Sequence, residues 1–161
     1  MKKDMKTLSK DECLRLLKKY DCPERVIRHS LKVSEIALKK NYQLISPFDD
    51  DIITCAALLH DIMRPQPDHA EAGAKLLKEL GYEEIAEIIA SHHDLEDENF
   101  DERHLIYLAD KLVREDKEVS LEERFLTKLA QFDAEEAKAA CLRRYRQALR
   151  IQELFERKCR Q

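Results

Sequence analysis

The stretch that most restricts this chain is CAALLHDIMRPQPDHAEAG, residues 55 to 73, where His60 and Asp61 stand side by side at the end of an apolar run and His69 follows two prolines. Residues three and four apart share one face of a helix. At that spacing His60 continues Ile52, Ile53 and Ala56, and Asp61 continues Ile53 and Ala57. Both side chains therefore point inward from a helix that otherwise reads as core. The pattern recurs: His29 lies on the line Val26, His29, Val33, Ile36; His92 extends Ile85, Ile88 and Ile89; Asp110 sits between Ile106 and Val113. Four predicted helices aim ionisable groups at one interior.

Taken singly, each has a plain reading. A lone inward histidine is usually a hydrogen-bonded core residue, and a lone inward aspartate is usually a cap or a member of an ion pair. Together they are harder to accommodate, because an unpaired buried carboxylate costs several kcal/mol. Two carboxylates beside three imidazoles need something positive, and no inward arginine or lysine accompanies all of them. A divalent cation held by nitrogen and oxygen ligands satisfies the set.

The rest of the chain fits a helical domain. Its 161 residues suit one domain spanning 1–161. The start, MKKDMKTLSKDECLRLLKKYD, has acids among its bases and lacks an unbroken apolar stretch, so neither a signal peptide nor a membrane span is read there, and a cytoplasmic address is expected. Five cysteines, odd in number and never spaced C-x-x-C, suggest reduced thiols. A net charge of -4 gives no broad basic surface for a nucleic-acid duplex. Two glycines exclude a glycine-rich phosphate loop, so any phosphate chemistry needs another device.

Helical spacing and its punctuation predict about seven to eight helices and no strand. Ser9 with Glu12 has the form of a capping box for a helix to about Tyr20, and Pro23 suits the first turn of a second helix to about Asn41. The third opens at Asp49 to Asp51, runs through the HD pair and is stopped by Pro65 and Pro67. Asp68 with Glu71 suggests another capping box, and Gly81 a C-terminal stop. YEEIAEIIASHH is the fifth helix, residues 102 to about 116 the sixth; Ser120 with Glu123 caps a seventh, and 133 to 158 form a long last one.

His29, then His60-Asp61, then Asp110, set in VIRHSLKVSEIAL, ALLHDIMR and IYLADKLVRE, resembles the HD-domain metal-dependent phosphohydrolase superfamily over about residues 24 to 115. The resemblance implies an all-α bundle in which His29, His60, Asp61 and Asp110 hold one metal. His69 and His92 match the extra histidines of the binuclear branch, where the HD aspartate is shared between two ions. Such a site takes Fe, Mn, Zn, Co, Ni or Mg, one ion or two, and activates water for in-line attack on a phosphoester. Arg64, one turn past His60, is placed for a phosphate oxygen; Lys111 is a second candidate, and equally a supporting neighbour of Asp110. His93 is either a substrate or metal contact or an exposed helix end. Glu71 is an acid–base candidate only in a one-metal version of the site.

The cyclic-dinucleotide G-Y-P motif is absent, and the acidic run after HHD replaces its loop. Small stand-alone relatives include enzymes cleaving symmetrical dinucleoside tetraphosphates, although no residue here reads a base. The expected function is hydrolysis of a phosphoester in a nucleotide or other small phosphorylated metabolite, with Asp61, Arg64 and Lys111 serving the chemistry. A di-iron oxygenase on the same scaffold and a non-catalytic metal- or nucleotide-binding module are the alternatives. Residues 120–161 read as amphipathic helices that close the bundle or mediate a homodimer. Arg143, Arg144 and Arg146 are candidates to flank the pocket mouth.

Overall fold

Two helices form the centre because they are apolar on every side. In α3 (Asp50–Leu59), Ile53 and Cys55 to Leu59 are fully buried, and in α6 (Glu102–Lys111) so are His104 to Ala109. The other helices in this computed structural model, which describes residues 6–64 and 66–161, are α1 (Lys10–Lys19), α2 (Glu24–Asn41), α4 (His69–Glu79), α5 (Glu83–Ala90), α7 (Leu121–Leu129) and α8 (Glu135–Arg157). These are amphipathic and pack around the central pair: α2 lies on both α3 and α6, α1 and α5 on α3, and α8 on α6. Helix α4 pairs with α5, and α7 with α8. Each fully buried leucine or isoleucine of the centre contributes roughly 1.5–3 kcal/mol.

Among the described residues the fold is all-α apart from one hairpin of two-residue strands, β1 (Val113–Arg114) and β2 (Lys117–Glu118), antiparallel with Val113 opposite Glu118. The expected sixth helix was to reach residue 116. It stops at Lys111, and the chain turns back with Glu115 in the left-handed region at φ 58. Strands this short have no alternation to read, which is why the pattern predicted continued helix.

Most caps are where the residues put them. Ser9 and Glu12 complete their reciprocal box, Asp49 accepts from the amides of Asp51 and Ile52, and Ser120 accepts from that of Glu123. Gly81, at φ 95, follows the last turn of α4 and its amide donates to the Lys78 carbonyl. Two expectations are corrected. Pro23 is the N-cap of α2, one position outside the first turn. Asp68 makes no side-chain cap, because its backbone at φ -105, ψ 39 is not in the extended conformation that aims a capping oxygen at the amides ahead. The third and fifth helices also end early, at Leu59 and Ala90, leaving His60–Arg64 and His92–His93 in turns. Pro65, expected to stop the third helix, lies outside the described residues; Pro67 stands in the turn before α4.

The last helix closes one side of the bundle. Leu44 forms a bridge with Cys159, and the Ile45 amide donates to the Lys158 carbonyl at 2.9 Å. The basic face of α8 holds the acidic loop after His93: Arg143 pairs with Asp94 at 3.3 Å and Arg150 with Glu98 at 2.7 Å. Arg143 is thus engaged with that loop instead of a pocket mouth; Arg146 lines a cleft against Leu95 to Glu98, and Arg144 a small cavity between α7 and α8. None of the five cysteines is in a disulfide.

Candidate metal centre

The ends of the two central helices carry the chemistry. His60 is the C-cap of α3, Asp61 follows it, and Asp110 lies in the last turn of α6. An aspartate there faces the negative end of the helix dipole, an arrangement that costs stability unless cations lie close. His29 reaches the same point from the middle of α2. One ligand atom each from His29, His60, Asp61 and Asp110 fall within 4.8 Å of one another. His29 Nε2 is 2.9 Å from Asp110 Oδ1 and His60 Nε2 is 3.1 Å from Asp61 Oδ2.

A second cluster lies on the other side of Asp61. His69 opens α4, His92 and His93 follow α5, and their ligand nitrogens also fall within 4.8 Å of one another. Asp61 Oδ1 is 3.2 Å from His69 Nε2 and 3.4 Å from His92 Nε2. One oxygen of Asp61 therefore faces each cluster. Gly73, one turn beyond His69, lies at this junction: a Cβ there would stand 3.4 Å from Ile62 Cγ2 and 3.6 Å from Ile89 Cδ1, in ordinary packing contact.

Four histidines are oriented the same way. The Nδ1 atoms of His29, His60, His69 and His92 pair with the carbonyls of Glu115, Ala57, Gln66 and Ile89 at 2.7, 2.6, 3.2 and 2.9 Å. In the neutral ring each Nδ1–H then donates to its carbonyl, fixing the tautomer that offers the Nε2 lone pair to the centre, as metal-bound histidines require. The turn of Glu115 into positive φ aims its carbonyl at His29. His93 differs: its Nε2 lies 2.8 Å from His69 Nε2.

Electrostatics fit the same use. Burial raises the Asp61 carboxyl, but His60, His69 and His92 together outweigh it, so it is held well below the ordinary range. Asp110 is likewise low: burial opposes ionisation but Lys111 and the histidines outweigh it. Burial would lower His60, yet Asp61 and Asp110 raise it to about 10, so a proton stands at its Nε2 in the metal-free protein. Burial lowers His92, and burial, with the Lys111 charge nearby, pushes His93 down to about 3, so both stand as neutral imidazoles with a lone pair to offer.

Among the described residues, three side-chain atoms are buried without a hydrogen-bond partner: Ser30 Oγ on α2, and Asp61 Oδ1 and His92 Nε2 in this centre. Two orphaned acceptors facing each other at 3.4 Å are what a shared cation would satisfy. The donor set of imidazole and carboxylate suits a divalent transition ion.

Lys111 corrects the expectation that no inward cation accompanies the carboxylates. Its Nζ donates to Asp110 Oδ2 at 3.0 Å and to the His92 carbonyl at 3.2 Å, with the side chain 9% exposed. The ammonium offered to substrate on sequence grounds is thus bound to Asp110. Arg64 remains open, 44% exposed, with Nη1 3.4 Å from Asp61 Oδ2. It shares with His29 and Asp61 the wall of a cavity of about 440 Å³. A larger hollow between α2 and α3, of about 780 Å³, contains none of the clustered histidines. Glu71 is absent from both clusters.

The ends of the central helices thus bring together histidines and aspartates in a group that could hold a metal ion. Consistent with it, the HD domain model matches residues 26–115, more than half of the chain, and the chain belongs to that family. It is 34% identical over 93 residues to an uncharacterised protein of Methanocaldococcus jannaschii, covering 52% of each. It is also 35% identical over 86 residues to a tRNA (cytidine(56)-2'-O)-methyltransferase of Picrophilus torridus, covering 51% of this chain and 25% of that one. A similar match to the Thermoplasma volcanium protein of the same name is 34% identical and covers 24% of it. The chain therefore spans about half the length of the first relative and a quarter of the other two. No solved structure matches it.

Proposed function

We propose that the protein is a metal-dependent phosphohydrolase acting on a small phosphorylated metabolite, with a nucleotide as the leading class. The observation that carries this reading is the common orientation of four histidines, each turned by a backbone carbonyl so that Nε2 faces Asp61 or Asp110. His29, His60, Asp61 and Asp110 would hold one ion; His69, His92 and His93, with Asp61 Oδ1, would hold a second. Bound divalent cations supply a lowered pKa for coordinated water and neutralise charge on a phosphoryl group.

The chain's own groups have distinct tasks. Asp61 ties the clusters together, and Lys111 fixes Asp110 while offsetting its charge. To hold a cation His60 would have to give up the proton at Nε2, so metal loading would release a proton and strengthen with pH. Arg64, open to the cavity, is the side chain placed to hold a phosphate oxygen, in the bidentate manner that guanidinium favours. Methyl transfer is not part of the proposal, since this chain spans a quarter of the methyltransferases it matches.

The test is phosphate release from a panel of nucleotides and sugar phosphates with Mn, Fe, Co, Ni, Mg and Zn supplied in turn. Metal-dependent release, lost in His60→Ala, supports the reading. Tight metal and nucleotide binding without any turnover identifies a binding module, and oxygen uptake without phosphate identifies an oxygenase.

A further inference from the structure

The cavity beside His29 and Asp61 is built from more positive charge than one phosphoryl group needs. Besides Arg64 its wall holds Arg25 and Arg28 from α2, Arg114 from β1 and Arg124 from α7, against three carboxylates, Asp61, Glu115 and Asp116. Two of these arginines are already engaged. Arg124 donates through Nη1 to the carbonyls of Asp110, at 3.0 Å, and Val113, which ties α7 to the end of α6. Arg28 lies 3.9 Å from Asp116 and 4.0 Å from Glu24. Arg25 and Arg114 make no hydrogen bond or ion pair among the described residues, and both are exposed. Arg25 stands one turn before His29 on α2, and Arg114 on the hairpin whose turn holds His29 through the Glu115 carbonyl. Two unpaired guanidinium groups therefore flank a metal ligand on the side opening to solvent, in a cavity of about 440 Å³, the size range of small-ligand sites. Its apolar lining is Val26 and Val113. Neither side chain stacks a base, so the wall selects for charge over base identity.

We propose that Arg25 and Arg114 form an anion subsite for a second phosphate group, so that the substrate is a small molecule carrying at least two phosphates, one at the metal centre and one beyond it. This inference rests on the phosphohydrolase reading and narrows its substrate class. Guanidinium pairs recognise phosphate oxygens by parallel N–H donors, an interaction stronger than neutral hydrogen bonds.

The experiment uses the full chain loaded with the metal that gives most activity. Values of kcat/KM are compared for adenosine 5'-monophosphate, adenosine 5'-diphosphate and adenosine 3',5'-bisphosphate in the wild type and in R25E/R114E, with circular dichroism as the folding control. The better doubly phosphorylated substrate exceeds the monophosphate by about tenfold or more, chiefly through KM, and the double variant brings that ratio close to one. Equal rates on all three, a ratio unmoved by R25E/R114E, or turnover confined to oligoribonucleotides overturns the proposal. Calorimetric titration with pyrophosphate and with inorganic phosphate gives a reading independent of turnover. Tighter pyrophosphate binding that disappears in R25E/R114E upholds the subsite even where no nucleotide is cleaved and the hydrolase reading fails, and equal binding of the two anions defeats it.

Discussion

The two clusters around Asp61 are built from different material. The His29, His60, Asp61, Asp110 cluster grows from the long helix α2 and from the ends of the two most buried helices, with Lys111 beside it. The His69, His92, His93 cluster comes from the first residue of α4 and from a turn after α5, and His93 is exposed. Rigid, enclosed ligands lose little freedom when a cation arrives, whereas turn residues must be ordered first. On the proposed function, the first cluster would therefore be the tighter cation site and the second the more easily emptied one, with Asp61 Oδ1 reaching from the first towards His69 and His92 of the second.

The largest effect belongs to the shared group. Asp61→Asn removes the charge facing both clusters, and metal-dependent activity falls by more than about 100-fold with loss of bound metal, measured by initial rates and elemental analysis. The contrast between the clusters predicts the next outcome: His60→Ala empties both sites, while His69→Ala leaves one metal per chain. Loss of both ions in His69→Ala, or of neither in His60→Ala, would reverse the assignment of tight and labile sites.

Lys111→Met tests the support of the enclosed cluster. It leaves Asp110 buried at the unfavourable end of α6 without its nearest cation, and the metal-free protein loses about 3–5 kcal/mol in denaturant unfolding. Bound metal restores part of that stability, since a ligand that binds only the folded state stabilises it.

The pH dependence is smaller and its sign is fixed. The His60 value, about 10 in the fold against an ordinary 6.5, is raised. Its contribution to the metal-free protein is therefore complete below about pH 6.5 and is lost as pH climbs towards about 10. Melting temperature of the metal-free protein falls across that window, and that of the loaded protein, where a cation replaces the proton, changes less. Equal slopes for the two forms would argue that His60 is no ligand.

What the residues disclosed in advance follows the same division. The convergence of His29, His60, Asp61 and Asp110 was legible because each prolongs an apolar stripe, so spacing alone turns it inward. His69 and His92 came with the resemblance as much as with spacing, for both lie at helix ends where periodicity weakens. The inward turn of Lys111 was hidden, because it is adjacent to Asp110 and its long side chain curls back to the same carboxylate. Asp68 looked like a cap by residue type, whereas capping depends on a backbone angle it does not adopt. The hairpin at 113–118 has strands too short for any pattern, and with it Arg114 escaped notice. Arg25 had a signal, its position one turn before His29, that helix spacing alone was sufficient to supply.

Anomalous X-ray diffraction from crystals of the metal-loaded protein is the most direct measurement of the central claim, that Asp61 divides its two oxygens between two cation sites. The account predicts two anomalous peaks flanking Asp61, one among His29, His60 and Asp110 and a weaker one among His69, His92 and His93. A single peak touching neither oxygen of Asp61, or none at full metal supply, would contradict it.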